Sequence, residues 1–334
     1  MRNSRLDEDD IRVRPGRSKS RPRTKDRPQH SDAVFGSVTT VDRGRFTVLL
    51  EDDKRTSEGA EIFAVKAREL GRKGIVVGDR VALVGDASGD ADSQARIIRR
   101  EDRETVLRRT ADDNDPVERV IVANAHYMGI VVAAAHPEPR LGLIDRALVA
   151  AHDANITPLL IITKCDLADP EPLMRNYSRL GIQIFRVEAG IAGHDLIDHL
   201  ADKVTVLIGH SGVGKSTLIN QLVPDAERRT GSVSDLTGKG KHTSTSVIAF
   251  PLPGNRGIVI DTPGIRSFGL AHVSRESMVD SFPDLHEWMA NCPRACSHNE
   301  IDCGLNAVND PVILQRIESL QSLLAGNTID ASPH

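Results

Sequence analysis

The chain has 334 residues, with 43 Lys/Arg against 47 Asp/Glu, a formal net charge of −4 and only 3% aromatic side chains. That length suits two or three domains rather than one. No apolar run approaches the ~20 residues of a bilayer span and the charged amino terminus has no apolar signal core, which argues against membrane and secreted classes and leads us to expect a cytoplasmic protein.

Residues 1–33 are polar, rich in Arg, Pro and Ser, and nearly free of large apolar side chains. Such a segment cannot bury enough surface to offset its ordering entropy, so a disordered basic tail is expected. Ten Lys/Arg fall within residues 1–30 against five Asp/Glu. Its basic half, Arg12 to Arg27, is suited either to gripping a phosphate backbone or simply to staying solvated. Over 34–103 the pattern becomes short alternating strands, at Val34–Val41, Arg45–Leu50, Ile62–Ala67, Arg80–Gly85 and Ala95–Arg100, separated by turn-prone stretches. Five such strands predict a small closed barrel of the OB type. With only Phe35, Phe46 and Phe63 in it, base stacking is not expected to dominate. Contact with folded RNA or protein through charge and shape is one reading, and a purely structural barrel the other.

A charged linker is expected from Glu101 to Asp115. Apolar strands then alternate with amphipathic helices across 104–273, which predicts a mostly parallel sheet covered on both faces. The expected strands are Glu118–Asn124, Met128–Ala135, Pro158–Thr163, Ile182–Val187, Val204–Ile208, Val247–Phe250 and Gly257–Ile260, with a helix at Leu141–Ala154. The strand ending at Thr163 runs into Thr163-Lys164-Cys165-Asp166, which resembles the Asn-Lys-x-Asp motif of GTPases. A carboxylate there accepts from guanine N1–H and N2–H₂, a donor pair that adenine lacks. Asp166 therefore argues for GTP over ATP. Val187-Glu188-Ala189-Gly190 would supply a second base-edge loop, its Ala189 amide near the guanine oxygen.

The strand Val204–Ile208 leads into Gly209-His210-Ser211-Gly212-Val213-Gly214-Lys215-Ser216-Thr217, followed by helical spacing from Ser216 to Val223. Strand, glycine-rich loop and helix is the setting of a P-loop, in which backbone amides and the helix terminus face a polyphosphate. Lys215 would reach the β- and γ-phosphates and the Ser216 hydroxyl would meet Mg²⁺. Thr237 to Thr245 form a basic, hydroxyl-bearing loop suited to a switch, with Thr243 or Thr245 as the Mg²⁺ ligand. The strand Ile258–Ile260 ends in Asp261-Thr262-Pro263-Gly264, where Asp261 would hold Mg²⁺ and the Gly264 amide would meet the γ-phosphate. Ile265 follows, where a water-orienting glutamine is usual. An aliphatic side chain cannot orient water, so turnover should be slow unless His242 or an outside partner supplies the missing group. The base motif precedes the P-loop and Asp261–Gly264 comes last, an order that predicts a circularly permuted GTPase domain.

Residues 274–328 read as a helical module with a thin core, and 329–334 as a frayed tail. Within it, Cys292, Cys296, His298 and Cys303 offer three thiolates and an imidazole, a set that suits one structural zinc ion.

Barrel, permuted GTPase and Cys₃His module in this order resemble the ribosome small subunit-dependent GTPase A (RsgA/YjeQ) family. The most specific stretches are GHSGVGKSTLIN, KGKHTST, DTPGIRSF and the cysteine cluster. The resemblance implies a monomeric GTP/GDP-, Mg²⁺- and Zn²⁺-binding assembly factor that docks late on the small (30S) ribosomal subunit, contacts its rRNA and hydrolyses GTP there. Residues 209–217 and 163–166 would bind GTP, and the four Cys/His residues zinc. Thr163 in place of Asn and a more compact metal loop depart from the family pattern. The competing expectations are an RNA-binding scaffold in which nucleotide is a structural ligand, and an ATPase.

Overall fold

Alternating burial along short strands builds the first of two units into which the chain divides after Arg103. The computed structural model describes residues 32–51, 59–70, 74–87, 94–110, 117–224, 226, 247–262 and 269–326. Its strands are β1 (Val34–Asp42), β2 (Arg45–Leu50), β3 (Glu61–Lys66), β4 (Arg80–Gly85) and β5 (Ala95–Arg100). They pair in the order β1-β2-β3-β5-β4, and β4 returns to β1, which closes a five-stranded barrel. Every second side chain points inward, so Val38, Phe46, Val48, Ile62, Leu83 and Ile97 fill the interior. Buried Asp79 accepts from the Val76 amide at 2.8 Å and pairs with Arg103 at 2.7 Å, so its charge is matched where it is desolvated.

The second unit begins with a departure from expectation. Val106–Arg109 (β6), placed by its charge within a linker, pairs antiparallel with β7 (Arg119–Ala123). Backbone bonding holds this ribbon, with Leu107 and Val122 buried beneath it, and β7 is therefore not part of the parallel sheet.

The sheet proper takes β8 (Tyr127–Ala133), β9 (Thr157–Thr163), β10 (Gln183–Glu188), β11 (Ile191–Ala192), β12 (Val204–Ile208), β13 (Ile248–Pro251) and β14 (Ile258–Asp261). Its order is β11-β10-β9-β8-β12-β14-β13. The five inner strands are parallel, β11 pairs antiparallel with β10 and β13 antiparallel with β14. Leu159 to Ile162 are all fully buried, as a strand covered on both faces requires. Helix α1 (Leu141–Asp153) lies against β8 and β9, α2 (Glu171–Tyr177) connects β9 to β10, and α3 (His194–Leu200) and α4 (Lys215–Leu222) join a core with Val131, Ile161 and Leu207.

The C-terminal helices are α5 (Arg275–Asp280), α6 (His286–Met289) and α7 (Pro311–Gly326). Their core is fuller than expected, because α7 packs on α1 and α2 while burying Ile313, Ile317, Leu320 and Leu324. Ser274 caps α5 by accepting from the Ser277 amide at 3.1 Å. Arg316 of α7 is buried between Asp145 of α1 and Asp284, with its guanidinium 4.3 Å from the Phe282 ring centre. The longest α7 side chain thus finds its charge partners inside the fold.

Candidate nucleotide site and Cys-His cluster

Five parallel strands bring the loops at their carboxyl ends to one edge of the sheet, whatever their order in the chain. Out of β12 the backbone turns at Gly209, where a Cβ would lie 2.5 Å from the Val131 carbonyl of β8, so only glycine allows that approach. Gly214, at φ +94°, is the left-handed residue from which α4 starts. Lys215 follows, and its ammonium donates to the Asp261 carboxylate and to the Thr262 carbonyl at 3.1 Å. Asp261 stands opposite Leu207 in the parallel register of β12 and β14, and the Thr262 hydroxyl donates to Leu207 O at 2.7 Å, pinning the two strand ends together. Ser211, Gly212, Ser216 and Thr217 are exposed on the loop and the first turn of α4, whereas Val213 is buried beneath it. His210 is half-buried, with Nδ1 2.9 Å from Ser211 O.

The Thr163–Asp166 segment, which follows β9, straps this loop from the side. Thr163 is buried, its hydroxyl bonded to Val213 O and lying 3.1 Å from Val132 O. Lys164 reaches over to the Gly212 carbonyl at 2.8 Å and to that of His136. Cys165 donates its amide to Val187 O at 3.2 Å, and burial pushes its thiol pKa up. The Asp166 carboxylate accepts from the Ala189 amide at 2.7 Å. The two expected base-edge groups therefore meet, but the Ala189 amide points at Asp166 rather than standing as a separate donor. Gly190, next along, lies against Thr217, since a Cβ there would be 2.8 Å from its Cγ2. The expected switch residues His242, Thr243 and Thr245, and Gly264 beside Asp261, lie outside the described residues. Sequence reasoning missed the Thr262 pin, although a hydroxyl between an apolar strand and a proline was a signal for it.

In the C-terminal module the Cys292, Cys296, His298 and Cys303 ligand atoms all lie within 4.8 Å of one another. Cys292 Sγ is 3.8 Å from Cys303 Sγ and 3.7 Å from His298 Nδ1, and Cys303 Sγ is 3.9 Å from that nitrogen. A tetrahedron with metal–sulfur bonds of about 2.3 Å has edges of about 3.7 Å, so the donor set fits zinc in both chemistry and scale. Burial lowers the His298 pKa, which favours the neutral imidazole that a metal takes. Burial and the hydrogen bond to Glu300 push the Cys296 thiol up to about 12, while the Ser297 amide draws Glu300 down to about 2. The ionised Glu300 carboxylate accepts from the Ser297 amide at 2.8 Å.

Residues 100–271 match the RsgA GTPase family. A protein of Ectopseudomonas mendocina (strain ymp) named Small ribosomal subunit biogenesis GTPase RsgA is 42% identical over 217 residues, 61% of this chain and 63% of that protein. Its namesake in Pseudomonas fluorescens (strain SBW25) is 38% identical over 263 residues, 75% of this chain and 74% of the relative. The match to the first of these thus spans less than two thirds of its length. Among solved structures, the circularly permuted GTPase YloQ superposes with a TM-score of 0.65 at 23% identity, covering 92% of this chain and 99% of that one. YjeQ from Thermotoga maritima gives 0.59 at 22% identity, over 88% of this chain and 98% of that one. At that identity the likeness is one of fold, and the fold is that of a circularly permuted GTPase.

Proposed function

The chain belongs to the RsgA GTPase family, and from that premise we propose that it hydrolyses GTP in the maturation of the small ribosomal subunit. One observation carries the reading. Lys215 and Asp261 are paired at the mouth of a P-loop that Thr163 and Lys164 hold from the side, with Asp166 next to them in the chain. Phosphate, metal and base functions thus share one edge of the sheet.

In this reading Lys215 and the amides of residues 212–217 bind the phosphates, and Asp166 accepts from the guanine edge. Thr163 braces the loop, and Ala189 holds Asp166 in place. Ser216 and Asp261 would hold Mg²⁺, which supplies charge neutralisation at the phosphate oxygens, with Thr243 or Thr245 as the switch ligand. Residues 34–103 serve as the OB-type barrel, 104–273 as the GTPase domain and 274–328 as the zinc module, with Cys292, Cys296, His298 and Cys303 as its ligands. The partner is the small subunit and its rRNA, met by a monomer in the cytoplasm. Ile265 leaves no water-orienting group after Gly264, so the docked subunit or His242 completes the site.

The test is GTP turnover by the full chain with and without purified small subunits. Strong stimulation by subunits, abolished in Lys215→Ala, is expected. Equal turnover in both conditions would sink the ribosomal reading, and subunit maturation that persists in Lys215→Ala would leave a scaffold.

A further inference from the structure

We propose that Glu300 organises the Cys-His cluster, holding Cys296 and His298 ready for the metal through the backbone without being a ligand itself. Its carboxylate gathers the turn between them. The Ser297 amide donates to both oxygens at 2.8 and 3.0 Å, the Asn299 amide donates at 3.2 Å, and the Cys296 thiol at 3.1 Å. The intervening His298 amide donates to Cys296 Sγ at 3.3 Å. Three successive backbone N–H groups therefore converge on one carboxylate and one sulfur, a concave arrangement that suits negative charge.

The turn needs such a brace. Ala295 and His298 have φ of +59° and +67°, a region that side-chain-bearing residues seldom occupy without support. From the far side, the Gln321 amide of α7 donates to His298 O at 2.8 Å, and the Asn306 amide donates to the Glu300 and Ile301 carbonyls at 3.0 and 2.9 Å. Two charged groups reach this turn, Glu300 and Arg275, whose guanidinium lies 3.5 Å from Ser297 O, and Glu300 is the one bonded to the amides that follow Cys296 and His298. Its two oxygens accept from the Ser297 and Asn299 amides and, until the sulfur ligates as a thiolate and gives up its proton, from the Cys296 thiol. The brace on the metal-bound form is therefore the two amides, whereas the three sulfurs and the imidazole form a four-donor group. The proposal rests on the metal reading of the cluster.

The experiment compares the full chain with Glu300→Ala and Glu300→Gln, measuring Zn²⁺ affinity by chelator competition and the absorption spectrum of the Co²⁺-loaded protein. Loss of an outer-sphere partner of this kind weakens metal binding about 10–100-fold. That loss is expected for Glu300→Ala, with the thiolate-to-cobalt bands unchanged in position and intensity. Glu300→Gln keeps a carbonyl oxygen for the amides and should recover most of the affinity. Unchanged affinity in the alanine variant would overturn the proposal alone, as would a cobalt spectrum showing that a ligand has been lost. A wild-type chain that takes up neither metal would overturn the metal reading along with it.

Discussion

Thr163 stands where the guanine-binding pattern has asparagine, and its hydroxyl is spent on the P-loop carbonyl of Val213 rather than on a base. Asp166, three residues on, is exposed and has a carboxylate that accepts from Ala189 at 2.7 Å. The two positions should therefore fail differently. Thr163→Val keeps the shape but strips the donor from a buried carbonyl, a loss of about 1–3 kcal/mol. Its effect falls on the loop, so GTP and ATP binding should weaken by the same factor. On the proposed function, Asp166→Asn would set a donor against the guanine N–H groups, where charge-assisted bonds are worth roughly 1.5–3 kcal/mol each. GTP affinity should drop about 100-fold while ATP affinity hardly moves. Nucleotide competition against both variants measures this, and a Thr163→Val protein that alters base preference would assign the hydroxyl to the base instead.

Between elements, Arg316 of α7 is held by Asp145 of α1 and by Asp284 at 2.9 Å. Removing Arg316 leaves two buried carboxylates facing each other without a cation, so Arg316→Leu should cost about 3–5 kcal/mol in urea unfolding. Arg179–Asp310, whose side chains are 51% and 39% exposed, should cost about 0–1 kcal/mol when broken by Arg179→Ala. Comparable losses would mean that the buried position confers nothing. Burial raises the Asp145 pKa above its ordinary 3.8, with Arg316 opposing the shift. The fold then holds that proton more tightly than the unfolded chain does. Its contribution is greatest below pH 3.8 and declines as pH climbs through the folded value. The stability of the wild type relative to Asp145→Asn should thus fall as pH rises from about 3.8, and a difference that grows over that range would refute the sign. None of this knot was legible in the sequence, because an arginine on a helix normally reads as solvated and its partner Asp145 is 171 residues away. Strand β9 was legible because four successive fully buried apolar residues need two covered faces. Strand β6 was not, since two apolar residues beside Arg108 and Arg109 carry no periodic signal and only its pairing with β7 makes it a strand. The P-loop and the Cys-His cluster were readable because their chemistry is local in the chain. The capture of the Ala189 amide by Asp166 depends on two loops meeting across 23 residues and was not.

At the scale of the whole molecule, the charge is unevenly placed. Residues 1–30 carry ten Lys/Arg against five Asp/Glu, which leaves the rest of the chain net acidic although the total is only −4. An acidic body approaching a polyanionic rRNA surface is repelled at distances up to a Debye length, about 8–10 Å at physiological salt. On the proposed function the basic segment would reverse that sign locally, and each phosphate so neutralised would steepen the fall of log affinity with log salt by about 0.7–0.9. Binding of labelled small subunits by the full chain and by a chain starting at Asp32 should therefore differ most at low ionic strength. The shortened chain should show a flatter salt dependence and slower association, since rim charges act mainly on the encounter rate. GTP turnover at saturating subunit should be the same for both, because Lys215, Asp166 and Asp261 all lie outside the removed segment. If the two salt slopes coincide, the tail does not touch phosphate and serves only as a solvated extension. If the slopes differ and saturated turnover falls as well, the segment reaches the catalytic edge of the sheet, and the separation of docking from chemistry is wrong.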